Sequence, residues 1–292
     1  LKMLNKKYKQ TRRGFTMIEL LTVIAVIVVL IGILVPGIQG VKRIATDLEQ
    51  KSLFHSLEIG LGLFKKDFGD YPESKAIPVD GKVYTGAQHL AEAMVGRDGR
   101  GYEPSQIRKW KSPETDDTVL YTNDDKSTNR RKPRYANLKD NTGAFEMDQV
   151  YGAGNTGNVY SNNPAPVLTD VFQKKKIDFN GERLKVGGPI LYYRANDGAK
   201  IFNKNGTGFT QATASSWIYN YEDNRQILEM PAFFDATKNH ELSEPADFYK
   251  MINDKTSPIP NGSPHNADTY ILISAGYDGV FGTKDDITNF KN

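Results

Sequence analysis

The stretch Arg12–Gly40, RRGFTMIELLTVIAVIVVLIGILVPGIQG, decides how the rest of the chain is read. No charged residue falls between Leu20 and Val35, and from Phe15 to Ile38 the only one is Glu19. As a helix rising ~1.5 Å per residue, the segment from Phe15 to Ile38 reaches about 36 Å, enough to cross a hydrocarbon core of roughly 30 Å. Residues 1–14 carry Lys2, Lys6, Lys7, Lys9, Arg12 and Arg13 and no acid, so the positive-inside rule places this leader on the cytoplasmic side. Glu19 is the anomaly. A carboxylate inside an apolar membrane block costs about 2.5–3.5 kcal/mol on insertion scales, so it calls for a partner. A secretory signal has a shorter apolar core and a small-residue cleavage site, whereas this core ends in Val35-Pro36-Gly37. A plain signal anchor accounts for the length and the leader charge but not for Glu19.

The overall composition hides this asymmetry. Mean hydropathy is −0.53 and a quarter of the residues are charged, values of an ordinary soluble domain. The formal net charge of +3 is carried by the six basic side chains of the leader, and the remainder is net −3. The body of the chain therefore has no global attraction for nucleic acid. Without a cysteine there is no disulfide framework, zinc–thiolate cluster or thiol nucleophile.

Beyond Pro36 the pattern becomes amphipathic. Val41, Ile44, Leu48, Phe54, Leu57, Leu61, Phe64 and Phe68 recur mostly at three- and four-residue steps, with a gap near Lys51. Lys42, Arg43, Asp47, Glu49, Gln50, Lys51 and Glu58 fall between them on the expected wetted side. The pattern predicts one helix from about Phe15 to Phe68, with Gly69 as its C-terminal cap and Tyr71-Pro72 stopping propagation. Gly32, Pro36, Gly37 and Gly40 cluster at the expected water interface. They mark either a simple kink in a membrane helix or a hinge used during assembly.

Arg12-Arg13-Gly14-Phe15-Thr16-Met17-Ile18-Glu19-Leu20-Leu21 resembles the class III signal of type IV prepilins and type II secretion pseudopilins. The resemblance covers about thirty residues. It implies that prepilin peptidase cuts between Gly14 and Phe15 and that Phe15 becomes the N-methylated terminus. Glu19 then matches that family's acid five residues into the mature chain, and Pro36 its helix-bending proline. Cleavage would remove the leader charges, leave the apolar helix in the bilayer and create an amine at Phe15. Glu19 could pair with the Phe15 amine of a neighbouring subunit or with that of its own chain. LFKKDFGDYP, Leu63–Pro72, is similar to the end of the long helix in major pseudopilins, where an acidic Tyr-Pro turn leads into the head.

The expected organisation is a leader at 1–14, a membrane-spanning helical part at 15–38, an amphipathic helical part at 39–72 and a globular head at 73–292. The fold class is α+β: the long helix packed on an antiparallel sheet with long loops. Within the head, TGAQHLAEAMV (Thr85–Val95) is the one clear further helix, and residues 97–163 read as a loop-rich insertion. PILYYR (Pro189–Arg194), Ser216–Tyr221 and TYILIS (Thr269–Ser274) are the strand candidates. The core is expected where the apolar face from Val41 to Phe68 meets that sheet.

SAGYDGVFGTKDDITNF (Ser274–Phe290) holds the one metal-like constellation, Asp278, Asp285 and Asp286 around a glycine-containing loop. A hard cation such as calcium takes several carboxylate and carbonyl oxygens, and the loop can supply both. Major pseudopilins hold calcium in a C-terminal loop of similar character. The competing reading is a metal-free Asp-Gly turn. His55, His89, His240 and His265 have no metal spacing, and no G-x-S-x-G, Walker loop or H-E-x-x-H occurs. Arg130-Arg131-Lys132 and Lys174-Lys175-Lys176 read as solvated loop charges.

The sequence thus predicts a structural subunit rather than an enzyme: a pseudopilin of a type II secretion-like filament, anchored in the inner membrane with a periplasmic head. Its partners would be prepilin peptidase, like subunits, and the inner-membrane assembly platform with its ATPase. A type IV pilus subunit for adhesion, motility or DNA uptake is the close alternative. A membrane-tethered enzyme or carbohydrate-binding module is the alternative from another class.

Overall fold

A computed structural model describes residues 14–79, 81–104, 121, 125–138, 143–152, 154–161, 165–179 and 181–290. The leader as far as Arg13 and several stretches of the 97–163 insertion lie outside the described residues. The chain divides into two compact units, Leu1–Ala45 and Thr46–Asn292.

One helix, α1, runs from Met17 to Phe68 and includes Pro36. It ends as the sequence predicts. Gly69 turns into the left-handed region at φ 85°, and its amide donates to the Lys65 carbonyl at 2.7 Å. After it come β1 (Ile77–Val79), β2 (Lys82–Tyr84), α2 (Gly86–Val95), α3 (Asp125–Arg130), β3 (Ala144–Glu146), α4 (Met147–Tyr151) and β4 (Pro166–Leu168). The chain continues through β5 (Lys175–Phe179), β6 (Glu182–Val186), β7 (Leu191–Arg194), α5 (Arg225–Leu228), α6 (Pro245–Ile252), β8 (Tyr270–Ser274) and β9 (Ile287–Thr288). This is an α+β fold, a long N-terminal helix followed by small antiparallel sheets. Among the described residues the strands form three two-stranded sheets and one three-stranded sheet, ordered β7-β8-β9.

The three-stranded sheet organises the core. Leu191 pairs with Ile273 and Tyr193 with Ile271, and these four point to one side, among Trp217, Phe248 and Tyr249. The alternating residues Tyr192, Tyr270 and Leu272 point to the other side, among Phe54, Leu57, Leu61 and Phe64 of α1 and Leu90 and Met94 of α2. Both faces of the strand pair are covered, which is why PILYYR and TYILIS read as continuous apolar runs rather than as alternation.

The buried stripe of α1 starts later than the periodicity suggests. Val41, Ile44 and Leu48 remain 67, 62 and 62% exposed, whereas Gln50, placed on the wetted side by its polarity, is fully buried. Its Oε1 accepts the Val171 amide at 3.0 Å, satisfying a buried backbone donor that a leucine there would leave unpaired.

Two further expectations are corrected. Ser216–Tyr221 is not a strand. Trp217, Tyr219 and Tyr221 alternate inward and are buried, which mimics strand patterning. The backbone instead makes a single bridge from Trp217 to Ile201 between two 3-10 turns, Ala214–Ser216 and Tyr221–Asp223. Asn220 starts the second turn by accepting the Glu222 amide at 3.0 Å. Nor is Thr85–Val95 the sole helix of the head. α6 carries Pro245 in its first turn and buries Phe248, Tyr249 and Ile252.

Candidate functional site

The N-terminal segment is built around Thr16 and Glu19. Glu19 Oε2 accepts the Thr16 amide at 2.8 Å and the Thr16 hydroxyl at 2.7 Å, while Thr16 Oγ1 accepts the Glu19 amide at 3.3 Å. This reciprocal exchange is a capping box, and it satisfies donors that the first turn of any helix leaves open. Thr16 was not singled out from the sequence, although Thr-x-x-Glu ahead of an apolar run is the spacing that announces it. From Phe15 to Ile38 the large apolar side chains are all exposed, Phe15 and Met17 each at 84%. The most apolar 18-residue window has a mean hydropathy of 3.1, and the helix is long and apolar enough to cross a membrane. No atom comes within 4 Å of a β-carbon built on Gly32, Gly37 or Gly40.

The three aspartates expected at a metal site lie in the loop between β8 and β9. Asp285 Oδ2 accepts the Asp278 amide at 3.0 Å and its Oδ1 accepts the Thr283 hydroxyl at 2.6 Å. Asp278 Oδ1 accepts the Val280 amide at 2.8 Å, and Asp286 Oδ2 the Gly282 amide at 2.7 Å. Gly276 is required here. At φ 65° its added β-carbon would sit 2.1 Å from the Asp285 carbonyl oxygen. Burial, followed by the charge of Asp285, raises the Asp278 pKa above the ordinary carboxylate value. Burial also pushes on Asp285, but the Thr283 hydroxyl and the Asp278 amide outweigh it and hold that carboxyl low. The loop thus brings two carboxylates together, with Asp286 engaged on Gly282. Among the described residues no group of three or more His, Cys, Asp or Glu is placed to hold a metal ion. Asp278 and Asp285 fit part of a calcium shell, and backbone or hydroxyl oxygens would have to complete it.

Asp170 anchors this loop to the rest of the head. Its Oδ2 accepts the Ser274 hydroxyl at 2.8 Å, and its Oδ1 accepts the amides of Gly188 at 3.0 Å and Phe172 at 3.1 Å. Ser274 in turn accepts the Gly276 amide at 3.3 Å, and the next residue, Val171, donates to Gln50 of α1. Burial raises the Asp170 pKa to about 7 against the three hydrogen bonds that lower it. Gly187 leaves the needed room, because a β-carbon there would lie 2.0 Å from the Asp170 carboxylate. A lone Asp after a short strand carries no sequence signal, and its role becomes visible only in the fold. His240 is another buried structural group. Its Nδ1 accepts the Phe281 amide at 3.0 Å, and burial drops its pKa to about 4.

The prokaryotic N-terminal methylation motif matches residues 9–35 of this chain. No curated protein and no solved structure matches it. Together the motif and the long N-terminal apolar helix fit a type IV pilin-like protein. The motif supports a structural, pilin-like subunit and implies processing by prepilin peptidase and pilin-like assembly. With the apolar helix, it is consistent with single-pass anchoring in the inner membrane.

Proposed function

We propose that the chain is a pseudopilin of a type II secretion-like filament, cut between Gly14 and Phe15 and N-methylated at Phe15. The observation that carries this reading is the methylation motif together with the exposed apolar stretch Phe15–Ile38, whose one charged side chain, Glu19, sits in the first turn of the helix. So large an apolar surface is stable only when lipid or other copies of the helix cover it. In the bilayer it anchors the precursor. In a filament, neighbouring helices replace the lipid, and Glu19 meets the Phe15 amine of the adjacent subunit. The capping box holds the Glu19 carboxylate at the end of the helix where that amine arises. Pro36, which lacks the amide that would bond to the Gly32 carbonyl, lets the helix bend as it leaves the membrane. The acidic turn at Leu63–Pro72 and the Asp-Gly loop after β8 favour the secretion type over a pilus for adhesion, motility or DNA uptake. In the same reading Asp278 and Asp285 hold calcium, with Asp286 closing the loop beside them, and the ion would supply the charge that two adjacent carboxylates need.

Mass spectrometry of the mature chain tests the reading at its root. A chain beginning at N-methyl-Phe15 supports it. An intact leader, or a cut beyond Pro36 that releases the head from its apolar helix, overturns it.

A further inference from the structure

Residues 170–174 hold the loop between β8 and β9 at two points and α1 at a third. At the first, the Ser274 hydroxyl donates to Asp170 Oδ2 at 2.8 Å and accepts the Gly276 amide at 3.3 Å. Ser274 is fully buried, ends β8 and pairs with Ile287 of β9, so this one hydroxyl fixes the stem from which the loop departs. At the second, Lys174, a solvated charge by sequence alone, donates from Nζ to the Tyr277 carbonyl and stands 3.1 Å from the centroid of the Tyr277 ring. Asp278 is the next residue. At the third, the Val171 amide donates to Gln50 Oε1 of α1 at 3.0 Å. Val171 and Phe172 also belong to the apolar cluster that contains Phe54, Leu57 and Leu61 of α1.

Asp278 and Asp285 are both partly exposed, and they supply only two carboxylates. A calcium ion takes about six to eight oxygens, so the remainder would come from carbonyls and hydroxyls of the loop itself and from water. The spacing of those backbone oxygens depends on how the loop is held, which makes the groups beneath it part of the site. A ligand that must order its loop binds more weakly when a contact under the loop is lost, and by linkage the bound ligand strengthens those same contacts. The contact at the α1 end is well suited to respond. Gln50 makes it with its carbonyl oxygen alone, since its Nε2 is buried without a hydrogen-bond partner among the described residues.

We propose that residues 170–174 form a strap through which calcium in the β8–β9 loop tightens the seat of α1 on the head, with Asp170 and Ser274 as positioning residues. The inference rests on the calcium reading of Asp278 and Asp285 given above. It gives the ion a role beyond its own loop: occupancy sets how firmly the head grips α1.

The test uses the full-length protein in detergent micelles, titrated calorimetrically with calcium chloride and followed by amide hydrogen exchange with and without calcium. Ser274→Ala deletes the hydroxyl between Asp170 and Gly276 and touches neither Asp278 nor Asp285. It should weaken calcium binding by about tenfold or more, as outer-shell changes do. Gln50→Leu, at the α1 end of the strap, should weaken it by about fivefold or more, the lower range of coupling between sites. Gly60→Ala alters none of these bonds, so it should bind calcium as the parent does even where it lowers stability. Calcium should also slow exchange of the Val171 amide in the parent and not in Ser274→Ala, a readout that a merely stabilising role for Ser274 would not move. If the parent binds calcium but both variants keep its affinity, or the Val171 amide exchanges at one rate with and without calcium, the strap is refuted and the calcium site stands. If the parent binds no calcium, strap and site fall together.

Discussion

Gly60 and Gly62 sit two residues apart in the same helix, and replacing each by alanine should move stability in opposite directions. Alanine is favoured over glycine in a helix interior by about 0.8–1 kcal/mol, so propensity alone predicts a gain at both positions. Around Gly62 there is open space, with no atom within 4 Å of an added β-carbon. Around Gly60 the same carbon would lie 2.8 Å from the Tyr135 carbonyl oxygen and 2.9 Å from Met94 Sδ. The methionine can swing aside, but the carbonyl belongs to backbone whose amide donates to the Met94 carbonyl at 2.8 Å. Overfilling a packed contact of this kind costs roughly 1–3 kcal/mol, which outweighs the propensity term. Gly60→Ala should therefore lose about 1–2 kcal/mol, and Gly62→Ala should gain about 0.5–1 kcal/mol. For a unit of this size that is a melting temperature lower by about 2–8 °C and higher by about 1–4 °C, respectively. Thermal unfolding of the full-length protein in detergent, followed by circular dichroism, reads both. If Gly60→Ala is as stable as the parent or more so, the packing of α1 against residues 94 and 135 is not as described.

Other outcomes follow from the same geometry. Glu19→Gln keeps an acceptor for the capping box but removes the charge, so membrane insertion should persist while filament assembly is lost. Thr16→Val, which breaks the box and leaves the charge, should still assemble. The reverse pattern in electron micrographs would reduce Glu19 to a cap. Because burial raises the Asp170 pKa to about 7, its folded form keeps a proton that the unfolded chain sheds near the ordinary value of 3.8. Its stabilising contribution is thus complete below about pH 4 and is lost as pH rises through about 7. Glu146 and Asp223 are likewise raised to about 7 by burial, so melting temperature should fall between about pH 4 and pH 7. Asp170→Asn should flatten part of that fall, and an unchanged slope would remove Asp170 from the account. Calcium should raise the melting temperature of the parent but not of Asp285→Ala, while an equal response in both places the ion elsewhere.

The elements announced by long periodicity or by charge contrast were legible beforehand. The α1 helix, its Gly69 cap, α2 and the runs that became β7 and β8 all follow from side-chain pattern alone. What escaped was decided by tertiary contact. Gln50 is polar and buried because Val171 needs an acceptor, a fact no local window contains. Trp217 to Tyr221 carry strand-like side chains since they face a core, while their backbone pairs only in passing. In the candidate sites, Glu19 stood out because a lone charge in an apolar run is conspicuous, whereas Gly14 and Phe15 were marked by the resemblance of Arg12–Leu21 to the prepilin signal. Asp170 and Ser274 lie 104 residues apart in the chain, and only folding makes them neighbours. The Asn-Gly between β5 and β6 was a readable hairpin signal that strand composition alone obscured, Lys175–Phe179 and Glu182–Val186 being rich in charge.

The double-sided burial of β7 and β8 fixes where this protein can be shortened. One wall of that sandwich is supplied by Gln50–Phe64, so a chain trimmed to start after Phe68 would leave Tyr192 and Leu272 facing water and would clump rather than dissolve. Starting at Thr46 discards the oily Phe15–Ile44 run yet keeps every α1 residue that touches the sheet. The boundary for a soluble version of the head therefore lies inside the helix, between Ala45 and Gln50, and not at the loop where the helix ends.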